Sequence, residues 1–220
     1  MQMYYPYIPQ PQYRQGHQRV MTVTGSSSIL AEPDTISIQL EVRTENDLLR
    51  KAQQENTNKM NQVIQALLNV GIPRENIQTA EFNIFPMYDY VDGKQVFKGY
   101  QVTNRITVKL TNINQAGNVI DSAVSNGVNQ VSNIEFSIEN PEKIYQEALS
   151  EALRDAVDKA KVIAGTLQLN LDSKPVKIIE LVNENESPAA FKTFTAIEGS
   201  TPIQPGQLSV RAAVKTKFQY

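Results

Sequence analysis

The run from Thr35 to Val42 alternates strictly: Ile36, Ile38, Leu40 and Val42 are apolar, while Thr35, Ser37, Gln39 and Glu41 are polar. A period of two puts the first set on one side of an extended chain and the second on the other, so this segment is a half-buried strand. It follows the step Ala31-Glu32-Pro33-Asp34. Before that comes Val20-Met21-Thr22-Val23-Thr24-Gly25, a short β run closing on glycine. Two strands linked across a Pro-Asp step therefore open the ordered part of the chain.

The next segments change period. Leu49, Ala52, Met60, Val63, Ile64, Leu67 and Leu68 recur at helical spacing. Asn46 is the expected N-cap, and Gly71 with Pro73 stops the chain, which predicts a helix over about 47–70. Phe82, Ile84, Tyr88 and Tyr90 alternate before Asp92-Gly93, and Val102, Ile106, Val108 and Leu110 alternate after it, the pattern of a β-hairpin with a two-residue turn. Pro86 has no amide donor, so its strand belongs at a sheet edge or at a bulge. Asn112 or Asn114 caps a short helix ended by Asn126-Gly127, and Ile134, Phe136 and Ile138 form a further strand.

A long helix then runs from Pro141 to about Leu169. Its stripe is Tyr145, Leu149, Ala152, Ala156, Ala160, Ile163 and Leu167, and so much alanine implies close approach to a neighbour. Val176, Ile178 and Ile179 start another strand, and Leu208, Val210, Ala212, Val214 and Phe218 alternate to the C-terminus. Hairpins mixed with helices, without strict βαβ alternation, predict an α+β fold: largely antiparallel sheets against two long amphipathic helices and one short one.

The order of these pieces resembles the SIMPL-domain family, bacterial proteins of poorly defined function often tied to envelope or stress roles. The resemblance rests on Val20 to Gly25, Pro33-Asp34 and the alternating strand, then Asn76-Ile77-Gln78-Thr79, Gly99-Tyr100-Gln101-Val102, Gly127-Val128-Asn129 and the Ala-rich helix from Glu147-Ala148 to Ala160-Lys161. It covers about residue 20 to the end. The chain departs from the family at Val128, where alanine is common. It departs again at Gln168-Leu169-Asn170, which replaces a leucine–glycine exit and places Asn170 in the left-handed position.

Composition excludes more than it assigns. The 220 residues carry a net charge of −2, with 40% hydrophobic and 20% charged residues. That gives no field for gripping phosphates, so no nucleic-acid partner is expected. With no cysteine, thiol catalysis, disulfides and thiolate metal sites are unavailable, and His17 is the single histidine. One chain therefore cannot build a Ser-His-Asp triad or a two-histidine metal site. Gly25 precedes Ser26-Ser27-Ser28 without a phosphate-binding motif. No cofactor is expected. Residues 1–9 have neither a basic start nor an apolar core, and no run approaches a membrane span, so the expectation is a cytoplasmic protein without membrane insertion. A spore or cell-surface location is the alternative, or the periplasm if a native leader is missing.

Residues 1–18 form a Tyr/Pro/Gln-rich tail with too little aliphatic surface for a core, and residues 19–220 form the SIMPL-like domain. A long connection at about 183–207 holds Phe191, Phe194 and Ile197 in a polar setting. These three, with Tyr88 and Tyr90 of the hairpin, are the candidate interaction residues. The tail and this loop are the candidate sites for a protein partner.

Carboxylates are the only catalytic groups in quantity; Asp34, Glu41, Glu45 and Asp47 cluster near the first strand and its exit, each explained by a turn, a polar strand face or a helix start. Arg211, Lys215 and Lys217 share one face of the last strand, a solvated face or a stripe for an anionic partner. The reading that follows is a non-catalytic, self-associating protein, a homo-oligomer acting through protein–protein contacts. A spore or cell-surface structural component and a carboxylate-dependent hydrolase of an envelope polymer are the alternatives.

Overall fold

A computed structural model describes residues 19–181, the backbone of 189–191, and 201–220. The tail 1–18 and most of the 183–207 connection, with Phe194 and Ile197, lie outside the described residues. The two opening runs are strands β1 (Val20–Ala31) and β2 (Thr35–Asn46). Asp34 locks the step before β2. Its Oδ1 accepts from the Glu139 N–H at 2.7 Å and the Thr35 hydroxyl at 2.8 Å, while its own N–H donates to the Ser137 carbonyl. The Glu139 N–H above all favours the ionised form, so Asp34 titrates below its ordinary value.

Residues 28–147, 189–191 and 201–211 form one compact unit. Its helices are α1 (Leu49–Asn69) and α2 (Ala116–Ser125), and its sheet adds β3 (Ile77–Val91), β4 (Lys94–Leu110) and β5 (Gln130–Ser137). The strand order is β3-β4-β2-β5 with every neighbour antiparallel, as the alternating runs and the Asp-Gly turn require. Asp92 and Gly93 both have positive φ, 49° and 75°, the geometry that matches a two-residue turn to the twist of its strands. Pro86 falls on the edge strand, the place in a sheet where a residue without an amide donor is tolerated.

The apolar side of β2 is fully buried with Ile106 and Val108 of β4, Met60, Val63 and Leu67 of α1, and Val119, Ile120 and Ala123 of α2. Each large aliphatic buried this way contributes about 1.5–3 kcal/mol over exposure. Asn56 reaches from α1 into this core, donating to the carbonyls of Val42 at 2.8 Å and Val102 at 3.1 Å. Helix α1 starts at Leu49, two residues later than expected. Asn46 is the last residue of β2, and its Oδ1 accepts from the Leu48 N–H, an Asx turn that redirects the chain instead of capping the helix.

The other unit comprises residues 19–27, 148–181 and 212–220. The strands of its sheet lie in the order β1-β8-β6, with β6 at Lys177–Glu180 and β8 at Gln207–Gln219. The short β7 (Ala189–Phe191) pairs with the first residues of β8, which belong to the larger unit. Helix α3 spans Pro141–Thr166, with Pro141 at the first helical position where its missing N–H costs nothing. Its buried ridge is Ala148, Ala152, Ala156, Ala160 and Ala164, one residue per turn, whereas Ile163 and Leu167 are exposed. The reason for alanine is Gly25. A Cβ there would stand 2.0 Å from the Ala152 carbonyl oxygen and 2.7 Å from the Ala156 Cβ, so strand and helix backbones touch.

The α-helices α1, α2 and α3 all end in the same double bond pattern, in which the second residue past the cap donates five back and the first donates three back. Gly71 and Gly127 take the left-handed position in α1 and α2. In α3 it falls on Gln168, at φ 54°, and not on Asn170, because the helix stops at Thr166.

Candidate functional site

The polar face of the larger sheet carries a row of charged side chains across β3, β4 and β2 that ends on Gln130 of β5. Register sets Glu81 of β3 opposite Arg105 of β4, Arg105 opposite Glu41 of β2, and Glu41 opposite Gln130 of β5. Arg105 Nη2 and Nε donate to Glu41 Oε2 at 2.6 and 3.0 Å, and Nη1 donates to Glu81. The other Glu41 oxygen accepts from Arg43 at 3.2 Å, and the same Arg43 nitrogen donates to Gln130 Oε1 at 2.9 Å. Asn129 fixes the frame by exchanging both amide bonds with the Arg43 backbone, at 2.9 and 2.7 Å. Glu41 is 0% exposed, although its place on a polar strand face predicted partial solvation. Its hydrogen bond, then its charge with that of Glu81, pushes the Arg105 guanidinium further up from its already high value.

This arrangement holds strands together and offers little to a substrate. A carboxylate that acts as acid, base or nucleophile needs an oxygen free to meet a reacting atom. Both Glu41 oxygens face guanidinium donors, and Glu81 divides its oxygens between Arg105 and the Asn83 amide. Asp34 is committed to the turn before β2, and Glu45 and Asp47 are exposed around the β2 exit. No group of three or more metal-ligating side chains occurs among the described residues, and His17 lies outside them.

The hairpin differs. Pairing of β4 with β2 ends at Tyr100, so from Gly99 outward the hairpin is a two-stranded ribbon. Phe82, Ile84, Tyr88 and Tyr90 point to one side along β3 and all are exposed, Tyr90 to 76%. Tyr88, Phe97 and Tyr100 stack edge to face, with ring centres 5.8 and 5.2 Å apart. Cross-strand aromatic packing thus stiffens the ribbon while leaving its apolar side open.

Of the five candidate interaction residues, Tyr88 and Tyr90 meet on this arm. Phe191 has its backbone in β7, paired with Gln207, and the other two lie outside the described residues. Sequence reasoning missed Arg105, Glu81, Arg43 and Asn129. Glu81, Arg105 and Arg43 lie on strands and Asn129 just before one, but their convergence depends on register, which one strand does not reveal.

The chain is similar to the 26 kDa periplasmic immunogenic protein of Brucella melitensis, 29% identical over 90% of this chain and 84% of the relative. The same-named protein of Brucella abortus is 28% identical over the same shares. The uncharacterised protein YggE of Escherichia coli K12 is 23% identical over 89% of this chain and 78% of its own. Two of these relatives are named as periplasmic, which overturns the cytoplasmic assignment expected from residues 1–9. No helix among the described residues is long and apolar enough to cross a membrane. Residues 21–218 match the family model described as SIMPL, a protein of unknown function (DUF541). With nearly the whole chain matched, from the Gly25 strand into the last residues of β8, this protein belongs to the SIMPL family.

Proposed function

We propose that this is a non-catalytic periplasmic protein that self-associates through the open side of the β3–β4 arm. The observation that carries the reading is the contiguous exposure of Phe82, Ile84, Tyr88 and Tyr90 along an edge strand. Monomeric proteins seldom leave such a patch uncovered, and a free edge presents backbone donors and acceptors that another strand completes. A two-stranded ribbon is also marginal by itself, so the arm gains most from a partner. Identical chains meet such patches symmetrically, which makes a second copy the fitting occupant. The periplasmic setting follows the names of the Brucella relatives, and a stress-related role follows the family resemblance. The hydrolase alternative finds no support in the charge row, whose carboxylates are already engaged.

Light scattering behind size exclusion tests this. The intact chain exceeds monomer mass, and Tyr88→Ser with Tyr90→Ser lowers it. A wild-type chain that stays monomeric at high micromolar concentration overturns the reading.

A further inference from the structure

The outer side of β8 and its edge neighbour β6 has a property that neither the arm nor the charge row shares. Lys177 of β6 stands directly opposite Lys217 of β8, and Ile179 directly opposite Lys215. The three ammonium groups therefore share one sheet face, and none has a carboxylate within ion-pair distance among the described residues, although five other lysines do. Like charges directly opposite one another weaken a strand pair. The cost falls on a strand of four residues that closes the sheet through β8 alone. Beside the lysines, β6 leaves Ile179 41% exposed on the same face, with Val176 and Leu181 exposed at its two ends.

We propose that this face docks on the surface of an anionic lipid bilayer. Lysines held close without counter-charge are complementary to a dense layer of headgroup phosphates, each lysine near such a surface strengthening binding about fivefold. A soluble polyanion would satisfy the charge but would leave Ile179 with nothing to meet. A bilayer takes both, the ammonium groups at the headgroups and the aliphatic side chain at the acyl boundary. A second copy of this face would set lysine against lysine. The association is peripheral, through a sheet face, and involves no spanning segment.

Co-sedimentation of the full chain with vesicles tests the assignment. Vesicles of phosphatidylcholine with a quarter phosphatidylglycerol are compared with phosphatidylcholine alone, in low and high salt. The expected result is binding to the anionic vesicles only, weakened by salt. Each of Lys177→Ala, Lys215→Ala and Lys217→Ala lowers the partition coefficient about fivefold. Ile179→Ser lowers it further without changing the salt dependence. These are surface changes, and an unaltered circular dichroism spectrum and urea midpoint establish that the fold is retained. Absence of binding to anionic vesicles overturns the proposal, as does binding that the triple lysine variant retains. Competition by soluble polyphosphate together with indifference to Ile179→Ser also overturns it, by identifying a soluble polyanion as the occupant.

Discussion

Helix α3 meets β1 through Gly25, Ala152 and Ala156, with backbone against backbone, whereas α1 and α2 meet β2 and β4 through Met60, Val63, Leu67, Val119 and Ile120. The first contact gains from closeness and the second from volume. Each treats its strand edges differently as well. The edge strand β1 is tied to the helix: Ser26 N–H donates to Asp155 Oδ2 at 2.9 Å, and Lys159 Nζ donates to the Thr24 carbonyl at 3.1 Å. Among the described residues the edge strand β3 has no such cover along the arm, and aromatic side chains stand exposed there. The smaller region closes its β1 edge with its own side chains, while β6 on the other edge stays exposed. The larger leaves the aromatic side chains of β3 exposed along the arm.

The largest effect expected from breaking this comparison lies on the polar side of the larger sheet. Arg105→Ala removes three of the hydrogen bonds in the charge row and leaves Glu41, fully buried, with Arg43 alone. Stranding a buried charge this way costs about 3–5 kcal/mol. Urea unfolding should show a much lower midpoint. A loss under about 1 kcal/mol, the range of exposed ion pairs, would mean that the row is a surface network.

A smaller pair of effects separates volume from closeness. Leu67→Ala opens a cavity among large neighbours and should cost about 2–5 kcal/mol. Gly25→Ala adds a single carbon, yet its nearest neighbours are backbone atoms that cannot rotate away, and overpacking of this kind costs about 1–3 kcal/mol. The reverse logic sharpens the contrast, since Leu67→Met keeps volume and should cost under about 1.5 kcal/mol. If Gly25→Ala proves neutral by the same urea midpoints, the alanine ridge does not enforce close approach.

Much of this contrast was legible from residue types. Alanine at every fourth position announced a close neighbour, and the alternation of β2, with Asp92-Gly93 and Pro86, placed the strands and the edge. What stayed hidden depends on geometry between segments. Glu41 looks like a half-solvated strand residue until register sets Arg105 against it. Lys177 looks like one more surface lysine until it falls opposite Lys217. The left-handed residue after α3 fell on Gln168 and not on Asn170 because hydrogen bonding, and not residue preference, decided where the last turn closed. Asn46 looked like a helix cap for the same local reasons that make it a good Asx turn.

The smallest effect concerns acid, and it distinguishes the two regions by a single carboxylate each. Asp155 titrates below its ordinary value of 3.8, chiefly because Lys159 donates to it and then because the Ser26 N–H does. Asp34, in the other region, is lowered chiefly by the Glu139 N–H. A carboxylate whose folded value is depressed adds stability that is present above its unfolded value and is lost as pH falls through the folded one. Both contributions should therefore be intact at neutral pH and should fade below about pH 4, where unfolded aspartate takes up its proton. Asp155 is about a third exposed, so solvent screening limits its share to no more than about 1 kcal/mol. Asp155→Asn should lower the thermal midpoint slightly at neutral pH, and the gap from wild type should narrow as the solution is acidified. Asp34→Asn should behave likewise. A gap that stays constant from neutral pH down to about pH 2, well below the unfolded value, would show that the Asp155 charge does not hold β1 to α3 and that Gly25 and the alanine ridge suffice.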